Sequence, residues 1–241
     1  MTESRGRDGP SAVLEGFTGY LQADAYPGYD ALFRDGRVLE VGCWAHARRY
    51  FVKAEQQEPQ LAKAAIDRIR EFYMIERAAK ERALARDAVR EPRRAEALPR
   101  IAALCDWMTV TRTQVLDKGA LSKAIDYALS NWTALCRYCD DGRLEIDNNG
   151  SERSLRTVAV GRKNWIFFGN ERGGRTAAVI HSLIATCKEH DVDPRTYLRE
   201  VLLRVGKVSD VRELTPYGWK AKWAPVVEAH RASIVERLLA K

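Results

Sequence analysis

Gly19-Tyr20-Leu21-Gln22-Ala23-Asp24 reads as a short strand that closes on a carboxylate. A Pro27-Gly28 turn follows, then a short amphipathic stretch from Tyr29 to Phe33. Val38-Leu39-Glu40-Val41-Gly42-Cys43-Trp44 reads as a second, buried strand. From Ala45 to about Cys139 the period changes from two to three and four. Leu61, Ala65, Ile69, Phe72, Ile75 and Ala79 predict one helix, Leu98, Ile101, Ala102, Cys105 and Met108 a second, and Leu121, Ile125, Ala128, Leu129, Trp132, Leu135 and Cys136 a third. These helices read as a bundle inserted into a sheet-containing core.

Beyond the bundle, Asp147-Asn148-Asn149 marks a helix start, and Trp165-Ile166-Phe167-Phe168, bounded by glycines, reads as a short strand. Thr176 to His190 predicts an apolar helix with Ala177, Ile180, Ile184 and Cys187 on one face and His181 as a core residue. Pro194 suits the first turn of the next helix, to Val205. The polar segment before Ser11 is expected to be a loose start, and the tail after Lys207 partly unstructured, with Trp219 and Trp223 as anchors.

The 241 residues are enough to bury a substantial core, and 40 basic against 33 acidic side chains give a net charge of +7, which favours polyanionic partners. Residues 152–175 hold six basic and two acidic side chains, a net +4, so most of the surplus is local. Such a run is either a solvated face or a phosphate-binding surface. Five irregularly spaced cysteines without a secretory leader suit a reducing cytosol, and no apolar run approaches a membrane span. Cys136 and Cys139 form a lone C-x-x-C on a predicted helix, without the four ligands of a zinc site.

Two acidic residues stand out by context. Asp24 ends a strand, where it is either a ligand-facing carboxylate or an ordinary residue of the turn before Pro27. Glu152 lies in Asp147-Asn148-Asn149-Gly150-Ser151-Glu152-Arg153-Ser154-Leu155-Arg156, where Asn148, Glu152 and Arg156 recur every four residues and share a helix face. That carboxylate either binds a metal ion or closes a capping box begun by Asn149. His46, Arg48 and Arg49, after the second strand, are either phosphate contacts or a plain surface cluster.

Four blocks occur together and in order: Leu21 to Tyr29, Cys43-Trp44-Ala45-His46-Ala47-Arg48-Arg49, Asp147-Asn148-Asn149 with Glu152-Arg153, and Gly161-Arg162-Lys163-Asn164-Trp165. Together they resemble the transposases of the insertion-sequence IS66 family, over most of the chain from about Leu14 to Gly206. The resemblance implies an α/β, ribonuclease H-like core with a large helical insertion, helix-rich overall, and a DDE active site in which two Asp and one Glu hold two Mg2+ ions. By the same resemblance Asp24 corresponds to the second metal-binding, catalytic carboxylate and Glu152 to the third. The first would stand on an opening strand upstream of Asp24, where the only Asp is Asp8 in a polar context. The chain is therefore expected to be the N-terminally truncated, C-terminal portion of such an enzyme, inactive by itself because a two-metal site needs its full set of carboxylates. The alternative is a noncatalytic DNA-binding or oligomerising remnant.

Implied domains are a partial ribonuclease H-like core at 1–52, the helical insertion at 53–140, the rest of the core with C-terminal helices at 141–206, and a tail at 207–241. Expected DNA contacts are His46, Arg48, Arg49, Asn148, Arg153, Arg156, Arg162 and Lys163. Expected partners are transposon-end and target DNA, further copies of the chain and element-encoded accessory proteins, in a bacterial, nucleoid-associated cytoplasmic setting without a membrane.

Overall fold

A computed structural model describes residues 8–161 and 169–239. The expected strand at Trp165–Phe168, with Arg162 and Lys163, lies outside the described residues. The chain divides into two compact units, one through Arg153 and the other from Ser154 onward.

In the first unit, Asp8 opens a short helix, α1 (Asp8–Val13), rather than a strand. Strand β1 (Gly19–Gln22) pairs in parallel with β2 (Val38–Val41), Gly19 opposite Val38 and Gln22 opposite Val41. Parallel neighbours cannot be joined by a tight hairpin. The Pro27–Tyr29 turn and α2 (Asp30–Phe33) provide the return. Both strands consequently point their carboxyl ends the same way, the end at which open α/β sheets place ligands.

Helix α3 (Trp44–Ala54) starts three residues after β2 and buries Trp44, Ala47, Phe51 and Ala54, a stripe at helical spacing. Helix α4 (Pro59–Glu81) follows, with Ala62, Ala65, Ile66, Ile69, Phe72, Ile75 and Ala79 buried. A 3-10 turn at Arg86–Val89 and a π-helical segment at Arg93–Ala97 lead into α5 (Leu98–Arg112), and α6 (Ala120–Ser130) and α7 (Trp132–Cys136) complete the bundle. The charged connection expected around Arg86 to Arg94 is thus mostly helical, and Arg93 inside it is buried.

One core joins these helices to the sheet: Val41, Trp44 and Phe51 pack in the same cluster as Ile69, Phe72, Leu104, Met108, Ile125 and Leu135. Trp44 is its hinge, with Phe72 and Trp132 edge-on at centroid distances of 4.9 and 5.9 Å and its indole N–H donating to the Leu135 carbonyl at 2.9 Å. The bundle and β2 therefore share one interior.

Helix α8 (Asn149–Gly161) begins in the first unit, to which it belongs through Arg153. The second unit continues with α9 (Glu171–Glu189), capped by Asn170, and α10 (Pro194–Arg204), capped by Asp193 with Pro194 in its first turn. Val179 and Ile180 on α9 are exposed, whereas Cys187 is fully buried; His181 is partly buried. The tail departs from expectation, since α11 (Pro216–Lys222) and α12 (Ala224–Leu239) are regular helices. Burial explains the difference: Trp219 packs with Cys187, Val192 and Tyr197, and the Tyr197 hydroxyl donates to the Leu214 carbonyl at 2.6 Å. Among the described residues no helix is long and apolar enough to cross a membrane.

Candidate carboxylate site

The first unit's carboxylates converge at the carboxyl ends of its two strands. Asp24 stands two residues beyond β1, just before Ala25, whose φ of 60° is left-handed and strained for a residue with a Cβ. That turn carries the chain sharply away after the carboxylate. Beyond β2, the Gly42 N–H donates to the Ala134 carbonyl at 2.8 Å and the Trp44 N–H to the Ile146 carbonyl at 3.1 Å. A Cβ on Gly42 would approach the Leu135 backbone nitrogen to 3.0 Å, a tight contact that glycine avoids where β2 lies against α7. These bonds bring Cys43 and His46 against the Asp147–Glu152 segment.

His46 Nε2 lies 3.6 Å from Asp24 Oδ2 and 3.4 Å from Glu152 Oε1. Arg49, one turn further along α3, reaches the other Glu152 oxygen at 3.0 Å and His46 Nε2 at 3.0 Å. A guanidinium only donates, so Nε2 accepts and the imidazole proton sits on Nδ1. That Nδ1–H faces Cys43 Sγ at 3.1 Å, and the thiol in turn donates to Asn148 Oδ1 at 3.1 Å. The result is a directed chain, Arg49 to His46 to Cys43 to Asn148, tying α3 to the start of α8. The Tyr73 hydroxyl holds Asp147 Oδ2 at 3.0 Å, and Asp147 accepts from the Asn149 backbone and side chain. Burial and the Asp147 charge push the Tyr73 hydroxyl well above its ordinary range, so it remains a donor.

Asp24 and Glu152 thus present carboxylate oxygens to one imidazole lone pair. The charge that the structure places beside these acceptors is the Arg49 guanidinium, which donates to both Glu152 and Nε2; the carboxylate oxygens are also hard donors of the kind Mg2+ takes. Among the described residues no group of three or more acidic, His or Cys side chains is arranged to hold a metal. The capping-box alternative for Glu152 does not match its partners, because its carboxylate turns to Arg49 and His46 while the backbone at the helix start is served by Asp147.

Of the expected DNA contacts, Arg48, Arg153 and Arg156 are exposed, Arg49 is half exposed while paired to Glu152, and His46 and Asn148 are largely committed to the internal chain. Sequence reading passed over Tyr73 and Cys43, whose partners lie 74 and 105 residues away. Their only local signal was their position inside the Cys43–Arg49 block and on a buried helix face.

Cys43 is 1% exposed, and burial raises its thiol pKa. It is expected to resist a thiol reagent at pH 7.5 while the half-buried Cys105 reacts, and to react only when denaturant is added. Peptide mapping after timed labelling checks this; rapid labelling of Cys43 in the folded chain would contradict the buried hydrogen-bond chain.

Comparison with known proteins places the chain in a family. The profile described as Transposase IS66 family matches residues 1–176, and that of the IS66 C-terminal element matches residues 182–217. Three relatives come from Sinorhizobium fredii (strain NBRC 101917 / NGR234). The uncharacterized protein y4jD is 37% identical over 92% of this chain and 45% of its own length. The uncharacterized proteins y4hP and y4qI are 34% and 33% identical, each over 90% of this chain and over 43% and 42% of their own lengths. The chain therefore spans less than half the length of these curated relatives. No solved structure matches it significantly. With the two profiles matched one after the other along the chain, the protein belongs to the IS66 transposase family.

Proposed function

We propose that this chain contributes Asp24 and Glu152 to the metal-binding site of a DNA transposase, in which Mg2+ supports cleavage at an element's ends and joining of the freed 3′ hydroxyl to target DNA. The observation that carries the reading is the approach of both carboxylates to His46 Nε2, from segments that precede and follow the helical bundle in the sequence. When bound, divalent ions would activate the attacking oxygen and stabilise the leaving one. The chain's own part is to hold two carboxylates at one point, to orient Glu152 through Arg49 and His46, and to meet phosphates with Arg48 and Arg153. A parallel strand pair with the acidic residue beyond its carboxyl end supports a ribonuclease H-like core. DNA, further copies of the chain and accessory proteins are the proposed partners, in the cytoplasm.

The second reading, a noncatalytic DNA-binding or oligomerising protein, draws on the Arg49–Glu152 pair, which already neutralises one carboxylate. Metal titration separates the two. Mn2+ binding followed by electron paramagnetic resonance is expected to weaken about ten-fold or more in Asp24→Asn and in Glu152→Gln, with melting temperatures nearly unchanged. Equal Mn2+ affinity in all three proteins sinks the metal assignment and leaves the noncatalytic reading.

A further inference from the structure

We propose that Tyr50, stacked on Tyr127 beside the carboxylate site, is a platform for an unpaired base of a DNA strand, with Lys53 receiving the adjoining phosphate. The inference rests on the reading of DNA as substrate and adds a binding subsite to it. His46, Arg49, Tyr50 and Lys53 fall at spacings of three and four, so they form the outward face of α3, opposite the buried Trp44, Ala47, Phe51 and Ala54. The first two of them serve the carboxylates, and the last two continue the face away from them.

Tyr50 and Tyr127 lie nearly parallel, with centroids 4.4 Å apart and planes 23° apart. Tyr127 is half-buried, and its hydroxyl donates to the Asp24 backbone carbonyl at 3.3 Å, which fixes the pair next to the candidate ligand. Tyr50 is 38% exposed, an aromatic ring supported on one face. The Lys53 ammonium stands 5.5 Å from its centroid and, among the described residues, forms no ion pair. So loose a cation–π contact on a long flexible side chain yields readily to a phosphate.

A ring stacked on a second ring, a lysine in a loose cation–π contact and a neighbouring carboxylate site are the parts that a single-strand subsite needs. Stacking on an aromatic plane is open to any base, and it requires that the base be out of the duplex, where its faces are covered. A strand end whose last base is unpaired offers that base's face to the ring while its backbone runs toward Asp24 and Glu152. The platform therefore takes a nucleotide next to the reacting phosphate and fixes the strand's register.

The test uses the whole chain in EDTA, with a duplex carrying a single-stranded 3′ overhang and a blunt duplex of equal length. Tyr50→Ala and Tyr50→Leu are expected to bind the overhang DNA about ten-fold more weakly, while Tyr50→Phe binds it as the unaltered chain does and blunt duplex affinity stays the same throughout. Leucine keeps the bulk and removes the π face, which separates stacking from packing. In the unaltered chain, 2-aminopurine at the first unpaired position should lose fluorescence on binding, a readout that decides even if Tyr50→Ala unfolds. Equal loss on both DNAs, no loss in the leucine variant, or an unquenched aminopurine overturns the platform and leaves the DNA reading intact. Failure of the unaltered chain to bind either DNA overturns both.

Discussion

Arg93→Ala is expected to destabilise the first unit by about 3–5 kcal/mol, the range for removing one partner of a buried ion pair. Arg93 is 2% exposed. Its guanidinium makes a two-pronged pair with Glu76 at 2.8 and 2.7 Å and donates to the carbonyls of Tyr138, Asp141 and Leu144 at 2.7, 3.0 and 2.8 Å. It also stacks on the Tyr138 ring at 5.0 Å. Alanine would leave a carboxylate that is mostly buried without its counter-charge and three carbonyls without their donor, each a desolvation cost. Lysine would restore the charge but not the fork that meets five acceptors at fixed angles, so Arg93→Lys should recover only part. The pair Arg93→Met with Glu76→Met, which leaves no lone charge, is also expected to recover part of the loss. Urea unfolding monitored by tryptophan fluorescence gives these values. A loss below about 1 kcal/mol for Arg93→Ala, the scale of an exposed ion pair, is incompatible with this account.

Gly142→Ala is expected to cost about 3 kcal/mol or more and to disturb the carboxylate site as well. A Cβ at this position would lie 1.6 Å from the Arg86 carbonyl oxygen and 2.7 Å from its carbon. The obstacle is backbone, so no rotamer change relieves it, and the 140–146 connection must move. Gly142 does not have a positive φ, which makes the requirement one of space rather than of conformation. Since that connection carries the Arg93-bound carbonyls and leads to Asp147, its movement should loosen the Tyr73–Asp147 bond and the approach of Glu152 to His46. The expected signature is a lower urea midpoint together with weaker Mn2+ binding. A stable variant with unaltered Mn2+ affinity would show that the loop and the site are independent.

Both predictions concern residues that the sequence did not mark. Arg93 sits in a run of charged residues, Arg90 to Arg94, whose pattern matches any solvated connection, and only packing against Glu76 and Tyr138 turns it into a buried lock. Gly142 looks like an ordinary turn glycine after Asp140-Asp141 until the backbone of Arg86 is found against it. The aromatic stack is similar: Tyr50 and Tyr127 belong to two separate helices, and neither period hints at the other.

Local physics made much of the rest legible. Short runs bounded by turn residues located β1 and β2, threefold and fourfold spacing located α4, α5, α6 and α9, and Pro194 marked the start of α10, because these signals are local. The four motif blocks disclosed the IS66 family, and with it Asp24 and Glu152 as candidates. The tail misled because Trp219 is buried by distant partners, Cys187 and Tyr197, rather than by a periodic stripe of its own. What the sequence by itself determined is most of the elements ahead of the tail, the family, and Asp24 and Glu152 as candidates. Tertiary structure alone decided that Asp24 and Glu152 meet at His46, that Arg49 turns inward to Glu152, and that Cys43 joins α3 to α8. Those contacts, such as Arg49 with Glu152 at a separation of 103 residues, depend on how Trp44 and Gly42 seat β2 and α3 against the bundle, and no local pattern encodes a distance across a shared core.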